Sequence, residues 1–135
     1  MRFRSARDYF FRYIKTKSPA ITSKVRLAED IGRWLDHGFT DLLEVEEYIA
    51  AFADLIILFV ESPGSIAELG AFSALATVQP KILAVVNGKF SEPSFISDGP
   101  ARRLQRLEGS SLYKYLWNPA AKRLNDPANL DVFRE

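Results

Sequence analysis

The sequence contains no cysteine and a single histidine, His37, among its 135 residues. The absence of cysteine excludes a disulfide framework, cysteine-ligated zinc and thiol catalysis. One histidine nearly excludes multi-histidine metal sites and weakens any Ser-His-Asp interpretation. We therefore expect no bound metal and no bound redox cofactor.

Neither sign of charge is in large excess, and no apolar segment is long. Eighteen Lys and Arg against 17 Asp and Glu give a formal net charge of +1, so no strong overall field attracts nucleic acid or a membrane. The longest aliphatic-rich stretch, residues 53–60, includes Asp54 and is far shorter than the roughly 20 residues that span a bilayer. The first residues contain no apolar secretory segment. We expect a cytoplasmic protein that does not contact a membrane.

Length and composition predict one domain over residues 1–135, with a core at about 5–107 and a weakly patterned tail at 108–135. Helices are predicted at residues 5–17, at 41–52, from the 61–65 loop to about 78, and near 101–107, with a helical turn or two at 30–36. Strands are predicted at 24–28, 54–60 and 82–86. This order indicates an α/β fold, a Rossmann-like or flavodoxin-like three-layer sandwich with a mainly parallel sheet. Because the first element is a helix, the first strand is expected to be missing or short.

The most informative carboxylate is Glu68. Ligands of an open parallel sheet bind beyond the carboxyl ends of its strands, and residues 62–80 follow one such end with Glu68 as their only ionisable side chain. Their helix is apolar almost all round, which is typical of a buried helix. Burial raises the pKa of a carboxyl and a helix N-terminus lowers it, so Glu68 is a candidate acid, base or nucleophile.

Two interpretations of the start of this helix remain open. Ser65 and Glu68 fit an S-x-x-E capping box, in which the glutamate only satisfies backbone donors. Alternatively, Pro63 takes the first helical position and Ser62 is the N-cap. Glu68 would then lie a full turn inside the helix.

Residues 61–71, ESPGSIAELGA, follow the strand and carry a resemblance to a known family. Together with the strand they resemble the signature of nucleoside 2-deoxyribosyltransferase-like proteins, and more narrowly the bacterial retron effectors of this fold. Segments at 7–9, 27–30, 41–46, 94–96 and 99–100 extend the resemblance over about residues 5–107. It implies that Glu68 attacks the anomeric carbon of a nucleoside and breaks the N-glycosidic bond.

The candidate substrate-binding residues are Ser62, Gly64 and Ser65 in the loop at the helix N-terminus, with Glu61 before them. Among Glu44, Glu46 and Glu47 we choose Glu46 as the carboxylate that binds a ribose hydroxyl. Glu29 or Asp30, at the end of the predicted strand, is a further candidate for binding the sugar. The transferases usually carry Asp six residues before the catalytic glutamate, where this chain has Ser62; the neighbouring Glu61 is a candidate substitute. A solvated charged face remains an alternative for Glu46.

The sequence therefore predicts an N-glycosidase or deoxyribosyltransferase-like effector acting on a nucleotide, a nucleoside or a nicotinamide adenine dinucleotide (NAD)-type molecule. The resemblance to retron effectors implies a reverse transcriptase and its RNA–DNA hybrid as partners. Tyr113, Tyr115 and Trp117 alternate, which indicates a late strand or a contact in a homo-oligomer. The rival hypotheses are a nucleotide-binding module without catalysis, and a subunit that docks on a nucleoprotein through its basic N-terminal helix.

Overall fold

The computed structural model describes residues 5–32, 38, 41–87, 95–106 and 111–115. Its helices are α1 (Ala6–Lys17), α2 (Pro19–Thr22), α3 (Ala28–Gly32), α4 (Leu42–Phe52), α5 (Pro63–Ala74) and α6 (Arg102–Gln105). Its strands are β1 (Ile56–Val60), β2 (Ile82–Asn87) and β3 (Ser111–Tyr115). A 3-10 turn at Gln79–Lys81 precedes β2, and a π-helical turn at Ser97–Ala101 precedes α6.

The three strands form a parallel sheet in the order β1-β2-β3. In the register of β1 and β2, Ile56 lies opposite Ile82 and Val60 opposite Val86. Parallel strands that are covered on both faces consist of continuous aliphatic residues, as these two do. The predicted α/β fold with a mainly parallel sheet is confirmed.

Successive residues of a strand point to opposite faces of the sheet. Apolar side chains therefore lie on both faces, and helices cover both. On one face, Phe59 and Val85 pack with Ala6 of α1, and the ring of Phe10 lies 5.6 Å from that of Phe59.

On the other face, β1 and β2 pack against α4, α5 and α6. The buried residues of this core cluster are Ala50, Leu58, Val60, Leu69, Phe72, Val78, Ile82, Ala84, Val86 and Leu104. The result is the three-layer arrangement predicted from the sequence.

The strand predicted at residues 24–28 is wrong. Residues 25–27 have no regular structure, and Ala28 begins α3. The guanidinium of Arg26 donates to the carbonyl oxygens of Ser23 and Val25, at 2.7 and 2.8 Å, so this side chain folds back on its own loop. Glu29 and Asp30 consequently lie on a helix and not at the end of a strand.

Helix α5 ends at Ala74, not near residue 78 as predicted. The side-chain amide of Gln79 donates to the carbonyl oxygen of Ser73, which satisfies one of the carbonyl groups left free at a helix C-terminus. The chain can therefore turn before Pro80.

The late strand predicted from the alternation of aromatic residues is confirmed as β3, and the short helix near 101–107 is confirmed as α6. Trp117, residues 33–36 of the predicted helical turn and the start of the basic N-terminus lie outside the described residues. No helix in the described ranges is both long enough and apolar enough to cross a bilayer.

Candidate active site

The start of α5 is fixed by two serines. The Ser62 hydroxyl accepts a hydrogen bond from the Ser65 amide at 3.2 Å, and Pro63 takes the first helical position. The Ser65 hydroxyl accepts from the amides of Glu61 and Ser62, at 3.0 and 2.9 Å, and donates to the Ser62 carbonyl at 2.9 Å. Ser62 and Ser65 therefore form the capping box, and the carboxyl of Glu68 is left for another role. The second interpretation of this segment is confirmed.

Glu68 lies one turn further along α5 and faces a carboxylate from another helix. Its neighbour is Glu46 of α4, and each of the two carboxyl groups shifts the pKa of the other. The next residue, Leu69, is fully buried in the core, so the backbone that carries Glu68 is held firmly against the sheet.

Both carboxyl groups of this pair bind protons more tightly than an ordinary glutamate. Burial raises the pKa of Glu46 to about 7, with the charge of Glu68 and the shared hydrogen bond acting in the same direction. Burial also raises the pKa of Glu68, whereas the hydrogen bond from Glu46 and the charge of Arg7 lower it. A hydrogen bond between two carboxyl groups requires a proton on one of them. Because its pKa is raised to about 7, Glu46 can hold a proton up to near neutral pH.

Arg7 of α1 and Glu29 of α3 lie beside this pair. The Arg7 Nη2 atom is 3.2 Å from one carboxylate oxygen of Glu29, and its Nη1 atom is 3.3 Å from the other. The charge of Arg7 lowers the pKa of Glu68 and that of Glu29 raises it. Four elements that are separate in sequence, α1, α3, α4 and α5, therefore bring charged groups to one place.

Glu61, which follows β1, binds the N-terminus of α1. Its Oε1 accepts from the Ala6 amide at 2.8 Å, and its Oε2 accepts from the Arg7 amide at 3.4 Å. A carboxylate at this position satisfies amides without intrahelical partners and interacts favourably with the helix dipole. The structure thus places Glu61 at the predicted edge of the sheet, in contact with helix amides.

The remaining predicted site residues lie in the first turn of α5, where a loop was predicted, and on α3. Gly64 is exposed, and a Cβ added there would meet only the Ser62 hydroxyl, at 3.8 Å. Asp30 is exposed on α3, next to Glu29. Their roles in substrate binding, like those of Ser62, Ser65 and Glu61, stay predictions. Within the described part of the chain, no three acidic or histidine side chains are grouped so that they could hold a metal ion.

The sequence interpretation missed Arg7 as a member of this site. Arg7 lies in one of the segments that carry the family resemblance, which was the available signal, but its place in an amphipathic basic helix favoured a solvated position. Only the capping of α1 by Glu61 shows that this helix begins at the carboxyl end of β1.

Two curated proteins of Escherichia coli are similar to this chain. One, named "Retron Ec86 putative ribosyltransferase/DNA-binding protein", is 39% identical over 99 residues, which are 73% of this chain and 32% of the relative. The other, named "Retron Ec73 putative ribosyltransferase/DNA-binding protein", is 40% identical over 72 residues, or 53% of this chain and 23% of the relative. The chain thus spans at most about a third of the length of these relatives. A model of the STM3845 retron effector protein family matches residues 4–133, and the chain belongs to that family.

Proposed function

We propose that this retron effector chain cleaves the N-glycosidic bond of a nucleotide, a nucleoside or an NAD-type molecule, with Glu68 as the nucleophile. The observation that carries the proposal is the placement of two partly buried carboxyl groups, Glu46 of α4 and Glu68 of α5, beside each other. The word ribosyltransferase in the names of the two relatives supports the same class of chemistry.

The carboxyl pair supplies both groups that such a reaction needs. The ionised Glu68 oxygen attacks the anomeric carbon, and a glycosyl ester forms as the bond from this carbon to the base nitrogen breaks. The electron pair of the broken bond leaves with the base. The base of a nucleoside or nucleotide departs as an anion and takes the proton of Glu46, whereas the nicotinamide of an NAD-type molecule departs neutral and needs no proton. In the second half, Glu46 takes a proton from water while the water oxygen attacks the anomeric carbon. This step releases the sugar and restores the original protonation of the pair.

The surroundings of Glu68 hold the nucleophile in place before substrate binds. The Ser62–Ser65 capping box fixes the first turn of α5, and the buried Leu69 anchors the next. A nucleophile that is already positioned avoids an ordering cost at the moment of reaction. Burial keeps the proton of the pair available near neutral pH, where general acid catalysis is efficient.

The test compares the wild-type chain with Glu68→Gln, Glu46→Gln and Glu47→Gln at equal soluble levels. Glu47 is an exposed carboxylate on the same helix as Glu46, so it is the matched control. Free base and the nucleotide pool are followed by mass spectrometry after induction. We expect base release from the wild type and from Glu47→Gln, none from Glu68→Gln, and a reduction of about 100-fold or more for Glu46→Gln, the scale of general acid catalysis.

Equal base levels for the wild type and Glu68→Gln would refute the proposal. If the wild type binds nucleotide but releases no base, the chain is instead a nucleotide-binding module.

We also propose that a reverse transcriptase with its RNA–DNA hybrid is the partner that restrains this activity. Co-expression with these retron components should then suppress base release without lowering the amount of effector.

A further inference from the structure

Arg7, whose positive charge lowers the pKa of Glu68, has a side chain that is open to solvent. The Arg7 side chain is 53% exposed and that of its partner Glu29 is 48% exposed. The two parallel contacts, at 3.2 and 3.3 Å, use both carboxylate oxygens of Glu29. The guanidinium thus presents two donors side by side at the edge of the candidate site.

The backbone of Arg7 is held much more firmly than its side chain. Its amide donates to Glu61, and the preceding residue, Ala6, is completely buried. The other carboxylates nearby have partners of their own, since Glu61 binds helix amides and Glu46 binds Glu68. Exchange of the guanidinium from Glu29 to another anion therefore needs no movement of the helix.

A phosphate group fits this position in geometry and in charge. Arginine binds carboxylates and phosphates in the same bidentate way. An exposed ion pair such as Arg7–Glu29 contributes little stability, so an incoming phosphate displaces Glu29 at low cost. The phosphate also brings negative charge to a cation that already acts on the nucleophile. A sugar bound over Glu68 would therefore carry its phosphate towards α1.

We propose that Arg7 binds the phosphate of the substrate, so that the site accepts 5′-phosphorylated nucleotides in preference to the matching nucleosides. Glu29 holds the guanidinium in the empty site and is exchanged for the phosphate on binding. This inference rests on the proposed function, because it assigns a substrate class to the site that contains Glu68.

The experiment measures binding in the Glu68→Gln variant, in which cleavage is blocked. Isothermal titration calorimetry compares the 5′-monophosphates of the common ribonucleosides and 2′-deoxyribonucleosides with the unphosphorylated nucleosides. We expect the preferred nucleotide to bind at least about tenfold more tightly than its nucleoside, the effect of one charge-assisted contact. Adding Arg7→Gln should abolish the preference and leave nucleoside affinity unchanged.

Two further variants separate this role from a general effect of charge. Glu29→Gln removes the competing carboxylate and should tighten nucleotide binding without changing nucleoside binding. Arg12→Gln removes an arginine that pairs with Asp8 on the same helix at 3.0 Å and should retain the full preference. Circular dichroism of each variant verifies that the helices are intact.

The proposal is overturned if no nucleotide binds, if nucleotide and nucleoside bind equally, or if Arg12→Gln has the same effect as Arg7→Gln. Failure of the proposed function would give a different result. The wild type would release no base, but calorimetry would still show a preference for the nucleotide that is lost in Arg7→Gln. Base release with equal efficiency from nucleotides and nucleosides would overturn the role of Arg7 alone.

Discussion

Replacement of Glu46 by glutamine should stabilise the protein at alkaline pH. The pKa of Glu46 is raised from 4.5 to about 7, first by burial and then by the charge and hydrogen bond of Glu68. The folded protein therefore binds this proton more tightly than the unfolded chain does. The stabilising contribution is fully present below about pH 4.5 and is lost as the pH rises to about 7.

The nominal free energy of this pKa difference is about 3 kcal/mol. Both carboxyl groups are partly open to water, and solvent screening reduces the expected effect to about 1 kcal/mol. Glutamine cannot ionise, so Glu46→Gln avoids this loss. For a domain of this size, about 1 kcal/mol corresponds to a rise in melting temperature of roughly 4 °C.

The assay is urea unfolding followed by far-ultraviolet circular dichroism at pH 4 and pH 8. Glu46→Gln should equal the wild type at pH 4 and exceed its free energy of unfolding by about 1 kcal/mol at pH 8. Glu47→Gln, on the exposed side of the same helix, should follow the wild type at both values. A variant no more stable than the wild type at pH 8 would show that ionisation of the partly buried carboxyl pair costs no stability, and the reasoning would be refuted.

The remaining predictions concern the pH dependence of catalysis and the residues that stabilise α5 and α1. Base release should decline above about pH 7, where Glu46 loses its proton, and a pH–rate profile of Glu46→Gln should lack this alkaline decline. Ser62→Ala removes the N-cap of α5 and should cost about 1 kcal/mol in urea unfolding. Leu69→Ala removes a fully buried side chain and should cost about 3 kcal/mol in the same assay. Glu61→Gln weakens the capping of α1 and should lower the melting temperature by a few degrees, the effect of about 0.5–1 kcal/mol.

The parts of the fold that depend on local pattern could be predicted from the sequence. The aliphatic strands β1 and β2, the Asp41 cap of α4 and the Ser62 cap of α5 all follow from residue type and spacing. The period-two pattern at residues 24–28 was misleading, because a short extended loop has the same alternation as a strand. The end of α5 depends on a side chain that folds back from Gln79, and no periodicity reports such a contact.

The site itself could be predicted only in part. Glu68 is conspicuous because it is the one ionisable side chain in a long apolar segment, whereas Glu46 is one of three glutamates on α4. The coupling between their two carboxyl groups, however, depends on the packing of α4 and α5 on the same face of the sheet. The contribution of Arg7 depends on where α1 begins relative to β1, which is a tertiary relationship.

The anchoring of α5 explains how a carboxyl pair with raised pKa values can persist in the fold. Burial of a leucine such as Leu69 stabilises the native state by about 2 kcal/mol, and Phe72 is buried on the same helix. Ionisation of the pair costs less than this, about 1 kcal/mol after solvent screening. Loss of the proton therefore leaves α5 packed on the sheet, with Glu68 in place. A change of pH across the range in which Glu46 titrates should alter the chemistry available at the site before it alters the fold.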